Sequence, residues 1–160
     1  MLFRSERRSH QAVRPVVGAA LGNSFSDAGL SPNTTYLYLV RATDGSNVSP
    51  SSNTDLATTI LFTDDPVAPA STIIKAVHVT ELRTAVNAVR AAAGLPDATF
   101  TDAVSAGVFM KAIHITELRS NLDAARTALG LTAAPYTDPA LAAGVIIKAV
   151  HIRDLRSRVK

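Results

Sequence analysis

The stretch Ile74-Lys75-Ala76-Val77-His78-Val79-Thr80-Glu81-Leu82-Arg83 returns as Met110-Lys111-Ala112-Ile113-His114-Ile115-Thr116-Glu117-Leu118-Arg119. It returns again as Ile147-Lys148-Ala149-Val150-His151-Ile152-Arg153-Asp154-Leu155-Arg156. The histidines fall at intervals of 36 and 37 residues, a period typical of stacked supersecondary units. This feature constrains the fold most. One structural part is used three times, and each copy depends on its neighbours to cover its apolar side.

Within each copy the block opens an amphipathic helix. Val79, Leu82, Val86, Val89 and Ala93 are spaced three, four, three, four, as are Ile115, Leu118, Leu122, Ala125 and Leu129. That spacing lays one apolar seam along about four turns of helix. Gly94-Leu95 and Gly130-Leu131 read as a left-handed glycine followed by an apolar residue, which is a helix stop. The third copy, with Ile152, Leu155 and Val159, is expected to form about half such a helix. Its C-terminal cations suit the negative end of the helix dipole.

Each copy begins with an aromatic, a threonine and an aspartate: Phe62-Thr63-Asp64, Phe100-Thr101-Asp102 and Tyr136-Thr137-Asp138. Asp138-Pro139 reads as N-cap and first residue of a short helical turn ending at Gly144. The second copy reads the same way as far as Gly107. In the first, Pro66 and Pro69 leave only a turn. Brief extended stretches at Ile73-Ile74, Val108-Phe109-Met110 and Val145-Ile146-Ile147 lead into the long helices.

The N-terminal third has a different texture. Residues 1–23 show neither strand alternation nor a helical stripe and are expected to be poorly ordered, or to be recruited as a strand. From 24 to 62 the composition is rich in Ser, Thr and Asn with β-branched and aromatic runs. Residues 35–42 alternate, with Tyr36, Tyr38, Val40 and Ala42 on one face and Leu37, Leu39 and Arg41 on the other. A second strand is expected over 55–62, after a turn-rich link.

Leu30-Ser31-Pro32-Asn33-Thr34-Thr35-Tyr36, with Tyr38, Val40 and Ala42 after it, resembles the tyrosine-corner stretch of fibronectin type III domains. Ser49-Pro50-Ser51-Ser52 resembles their last loop. The resemblance implies the last two strands of a sandwich, whose earlier strands have no room here. The ten-residue block in turn resembles poorly characterised helical repeats of about 36 residues in large secreted bacterial proteins. That resemblance implies an extracellular or cell-envelope setting with an envelope or extracellular partner. With the missing sandwich strands, it points to the tail of a longer protein.

Composition narrows the chemistry. There is no cysteine, which removes thiolate nucleophiles, disulfides and zinc-finger ligand sets. The basic excess collects at the two ends without a stripe of interleaved aromatics, so nucleic acid is not an expected partner. The N-terminus is basic, but Arg14 and Pro15 interrupt the apolar run behind it, so no signal peptide is read. No run reaches membrane-span length.

His78, His114 and His151, each with an acid three residues on, are the candidates for shared chemistry. In one reading the histidine is an N-cap, the acid sits at N3, and Val77 with Leu82 and its counterparts form staples. In the other, the three imidazoles are zinc ligands, with water in the fourth position activated as hydroxide. Glu81 or Glu117 would then act as the base. Imidazoles on helices stacked in a line lie about 8–10 Å apart, too far to share one ion. Only copies wound around a common axis would bring them together. Lys75, Lys111 and Lys148, with Arg83, Arg119 and Arg156, read as a solvated charged face, and Asp64, Asp102 and Asp138 as caps.

The expected fold is therefore mainly α: a poorly ordered segment (1–23), a fibronectin-type-III-like β-hairpin fragment (24–62) and a three-copy helical repeat domain (63–160). The leading functional reading is a non-catalytic structural or binding module without a cofactor. The alternative is a small zinc-dependent hydrolase of esters or phosphoesters. Self-assembly into a homo-oligomer through the exposed hairpin is a third expectation.

Overall fold

A computed structural model describes residues 2–8, 16–20, 22, 24–69 and 71–160. Along them lie β1 (Leu2–Arg8), β2 (Val16–Ala20), β3 (Thr35–Thr43), β4 (Asp55–Thr58), α1 (Ala76–Ala92), α2 (Ala112–Ala128) and α3 (Ala149–Arg158). Strands come first and helices after, so the fold is mixed α and β rather than mainly helical.

β3 and β4 form the expected antiparallel pair, in register from Thr35 opposite Thr58 to Tyr38 opposite Asp55. Thr35 and Thr58 join through their hydroxyls at 2.7 Å in a buried position. Leu37 and Leu56 stand opposite each other on the same face. Both enter the apolar core that the helices share. The hairpin is thus seated on helix rather than on a second sheet. Ser31 N–H donates to the Tyr36 hydroxyl at 3.0 Å.

Two expectations change in this part of the chain. The hairpin is not open, because β1 pairs antiparallel with the other edge of β3 and β2 with β1, giving the order β2-β1-β3-β4. Of the two readings of 1–23, these strands match the recruited one; apart from Gly22, the rest of that segment lies outside the described residues. β4 is also shorter than the expected 55–62. Ser49 and Ser52 occupy the ladder before it, their hydroxyls accepting from Ala42 and Val40 N–H respectively at 2.9 Å each. Beyond it, Thr59 bonds back to Thr34. Ile60 and Phe62 then leave the sheet for the helical core.

The helices bury the seam that the spacing predicts. Val79, Leu82, Val86 and Val89 are fully buried, as are Ile115, Leu118, Leu122 and Ala125, and Ile152, Leu155 and Val159. The helix stops also follow the pattern. Leu95 N–H bonds Arg90 C=O at 2.9 Å and Gly94 N–H bonds Ala91 C=O at 3.0 Å, with Gly94 at φ 71°. Leu131, Gly130 and their carbonyls repeat both bonds. Positive φ is what glycine permits without strain.

The short helical turns expected after Asp102 and Asp138 do not form; both segments are bends, turns and irregular chain. The reason lies in the aspartate side chains. A carboxylate turned toward groups further along the chain is not placed to accept from its own downstream N–H groups, as a cap must.

Candidate functional site

The helix N-caps lie three residues before the histidines. Lys75, Lys111 and Lys148 hold the N-cap position in extended backbone, and His78, His114 and His151 stand at N3. Each imidazole Nδ1 accepts the N-cap lysine's backbone N–H at 3.2 Å. Histidine therefore does here what glutamate does in a capping box: it reaches back from N3 to a backbone N–H that the helix leaves unpaired. The expectation of histidine as N-cap fails because its ring nitrogen is an acceptor placed to serve a residue behind it.

Accepting at Nδ1 puts the ring proton on Nε2, and Nε2 faces an aspartate. His78 meets Asp64 Oδ2 at 3.1 Å and His151 meets Asp138 Oδ2 at 2.9 Å. His114 stands 3.5 Å from Asp102 Oδ2, beyond a good hydrogen bond. The same oxygen takes the lysine ammonium of each block: Lys75 at 2.9 Å, Lys111 at 2.7 Å and Lys148 at 3.0 Å. All three histidines are fully buried. The bonds hold the three carboxyls below their ordinary value. The lysine bond leads at Asp64 and Asp102 and the histidine bond at Asp138. The aspartates are thus anchors for the following helix, not caps of their own.

The acids read as bases or caps have a different place. Glu81 accepts from Thr63 N–H at 3.0 Å and from its hydroxyl. Glu117 does the same for Thr101, and Asp154 for Thr137. Each clips the segment ahead of its helix onto the helix's first turns.

The arginines link one block to the next. Arg83 donates to Asp102 C=O at 2.8 Å and stacks over Phe100 at 4.4 Å. Arg119 donates to Asp138 C=O at 2.6 Å and stacks over Tyr136 at 4.3 Å. Arg156 donates to Asp64 C=O at 3.1 Å and Thr63 C=O at 2.7 Å, and stacks over Phe62 at 4.5 Å. The third arginine returns to the first block, so the handover is cyclic. Arg119 and Arg156 are buried and Arg83 half-buried. Burial pushes the guanidinium values of Arg119 and Arg156 down. The expectation is a solvated charged face, and for the arginines the opposite holds, because a planar guanidinium can cover a ring while its N–H groups reach carbonyls.

Every residue of the aromatic-Thr-Asp triplet is thus used. The ring lies under the preceding block's arginine, the threonine is held by its own block's acid, and the aspartate holds its own lysine and, in the first and third copies, its own histidine. What sequence reading missed was the pairing of triplet with block. Their constant co-occurrence was the available signal, but their separation varies between copies, which hides a fixed-spacing motif.

Chemically, His78 and His151 have both ring nitrogens engaged. Ligation of a metal would require each to give up a bond to the helix start or to aspartate. Among the described residues, no three or more His, Cys, Asp or Glu side chains come together in a way that could hold a metal. No described helix is long and apolar enough to cross a membrane. Compared with protein-family models, curated proteins and solved structures, the chain matches none.

Proposed function

We propose that this chain is a non-catalytic structural and binding module of a secreted or envelope-associated bacterial protein. In it, three copies of one helical unit close into a ring that carries a fibronectin-type-III-like hairpin. The observation that carries the reading is the cyclic handover from Arg83 to Asp102, Arg119 to Asp138 and Arg156 to Asp64. A second handover supports it: Arg90 reaches Asn121 C=O and Arg126 reaches Arg158 C=O, at equivalent positions on successive helices. The chemistry-bearing side chains are spent on holding segments together, which leaves a rigid body with side chains on its surface free to bind. For the hairpin, the Ser31 to Tyr36 hydroxyl bond supports the tyrosine-corner resemblance, since such corners tie a tyrosine hydroxyl to backbone a few residues upstream.

Hydrogen exchange on the intact chain tests this. A closed ring protects the first turns of all three helices to a similar degree and loses protection at all three together in Arg156→Met. Loss confined to α3, with α1 and α2 unchanged, would show an open stack instead.

A further inference from the structure

Where the third copy's lead-in meets the start of α2, the two leave a groove of about 870 Å³ between them. The second copy contributes Val108, Phe109 and Ile113 to its lining, and the third contributes Val145 and Ile146. In that order they are 39%, 89%, 39%, 37% and 80% exposed. Scattered surface hydrophobes need no explanation, but these five share one concavity. A smaller groove of about 450 Å³ lies at the equivalent place between the first and second copies. Ile74 and Val108 line both, so the apolar surface runs on across two junctions.

The extent of this surface can be set against what a stable contact needs. At these exposures, five side chains of this size present on the order of 500 Å² of apolar surface. A standard interface takes about 800 Å² from each partner, and in homodimers about 65% of it is apolar. The groove therefore supplies the apolar share of one such interface. Its charge also bears on the partner. Among the described residues lining it, the one charged side chain is Lys111, whose ammonium is bound to Asp102 at 2.7 Å. Lys148, which follows the groove residue Ile147, is bound to Asp138 at 3.0 Å. A face whose cations are already paired can meet its own image without like-charge repulsion, and offers a highly charged partner nothing to select.

We propose that this groove is the interface of a twofold dimer of the chain. Phe109 borders the groove and at the same time projects from it, so one patch carries both a knob and a hole. A twofold contact requires a self-complementary patch of that kind, because each copy must offer what the other receives. Each copy's Phe109 enters the other's groove, which is wide enough to take the partner's Ile146 beside it. The contact is made at the helix lead-ins and leaves the hairpin free.

The test is sedimentation of the full chain from about 1 µM to about 1 mM. The parent should pass from one copy to two with a midpoint in the micromolar range. That midpoint should move less than about threefold between low and high salt, since no charge pair forms across the contact. Phe109→Ser should raise the dissociation constant about a hundredfold or more, because the symmetry counts the substitution twice. The melting temperature of the dilute chain should stay unchanged, since the ring is already in water there. Ile146→Ser should weaken the dimer in the same way. Leu61→Ser, at a residue 94% exposed and outside the groove, should dimerise like the parent. A parent that stays monomeric throughout would give the groove to a different protein or to lipid and overturn the proposal. So would a Phe109→Ser chain that dimerises like the parent, a Leu61→Ser chain that does not, or a mass that grows past two copies.

Discussion

Arg156 donates to the backbone carbonyl of Asp64, 92 residues earlier in the chain, and covers the ring of Phe62 as it does so. This contact joins the last helix to the segment that opens the first. It is the third of three equivalent links, and the one that spans the set rather than joining neighbours in sequence. A backbone carbonyl makes a robust target, because any residue at position 64 presents one. The guanidinium carries the specificity: Arg156 Nη1 and Nη2 reach two successive carbonyls.

Arg156→Met removes those donors while keeping an unbranched stem over Phe62. It should destabilise the chain by about 2–4 kcal/mol, since hydrogen bonds from a charged donor and the attraction of the cation to the ring are both lost. Arg156→Lys should rescue little, because an ammonium cannot bridge two carbonyls in a plane. Urea unfolding followed by circular dichroism measures both. A midpoint equal to the parent's for the methionine variant would remove the link from the account of stability.

Leu118 is fully buried in the middle helix of the sequence, α2, which contacts both α1 and α3. Leu118→Ala should cost about 2–5 kcal/mol. The three helices share one core, so the loss should be seen as one earlier transition. Two transitions, with α1 surviving the first, would show that the blocks do not depend on each other.

The three anchoring aspartates predict acid sensitivity. Each carboxyl is held below its ordinary value of 3.8 by lysine and histidine. A depressed folded value means that the stabilisation is fully present above the ordinary value and is lost as pH falls through the folded one. The parent's urea midpoint should therefore fall steeply below about pH 4. In Asp64→Asn with Asp102→Asn and Asp138→Asn, the midpoint should be lower at neutral pH and its slope below pH 4 shallower. Parallel curves for the two proteins would assign the acid transition to other groups.

His114 separates capping from metal binding. Its Nδ1 accepts Lys111 N–H, so His114→Ala should cost about 1–2 kcal/mol, in line with loss of a cap. His114→Asn, whose amide oxygen is also an acceptor, should recover part of that. Protein purified without added metal should hold no stoichiometric zinc and should melt alike with and without chelator. A tightly held zinc that leaves in His114→Ala, together with an esterase activity, would establish the hydrolase reading with Glu81 or Glu117 as base.

Some of this architecture is written locally, and that is why it could be read. The seam from Val79 to Val89 depends only on spacing within one helix, and the stops at Gly94 and Gly130 on a residue that tolerates positive φ. The strand at Thr35–Thr43 shows in the alternation of a few neighbours. Each of these is decided by residues three to five apart, so no knowledge of distant partners is needed.

The rest depended on which remote groups the fold brought together. Histidine is a poor N-cap by propensity, and nothing near His78 announces that the N-cap is Lys75. At His78 the tautomer that leaves Nδ1 free to accept is supported by Asp64, 14 residues back, which accepts a hydrogen bond from Nε2–H. The arginines looked like surface charge because burying a guanidinium is costly in the absence of partners. The partners were ring faces and carbonyls of the next block, and for Arg156 they exist only because the chain turns back on its beginning. Periodicity alone announced three equal parts. Whether they form a line or a circle depends on the small angle between one part and the next, and that angle is set by packing across their interfaces rather than by any single stretch of residues.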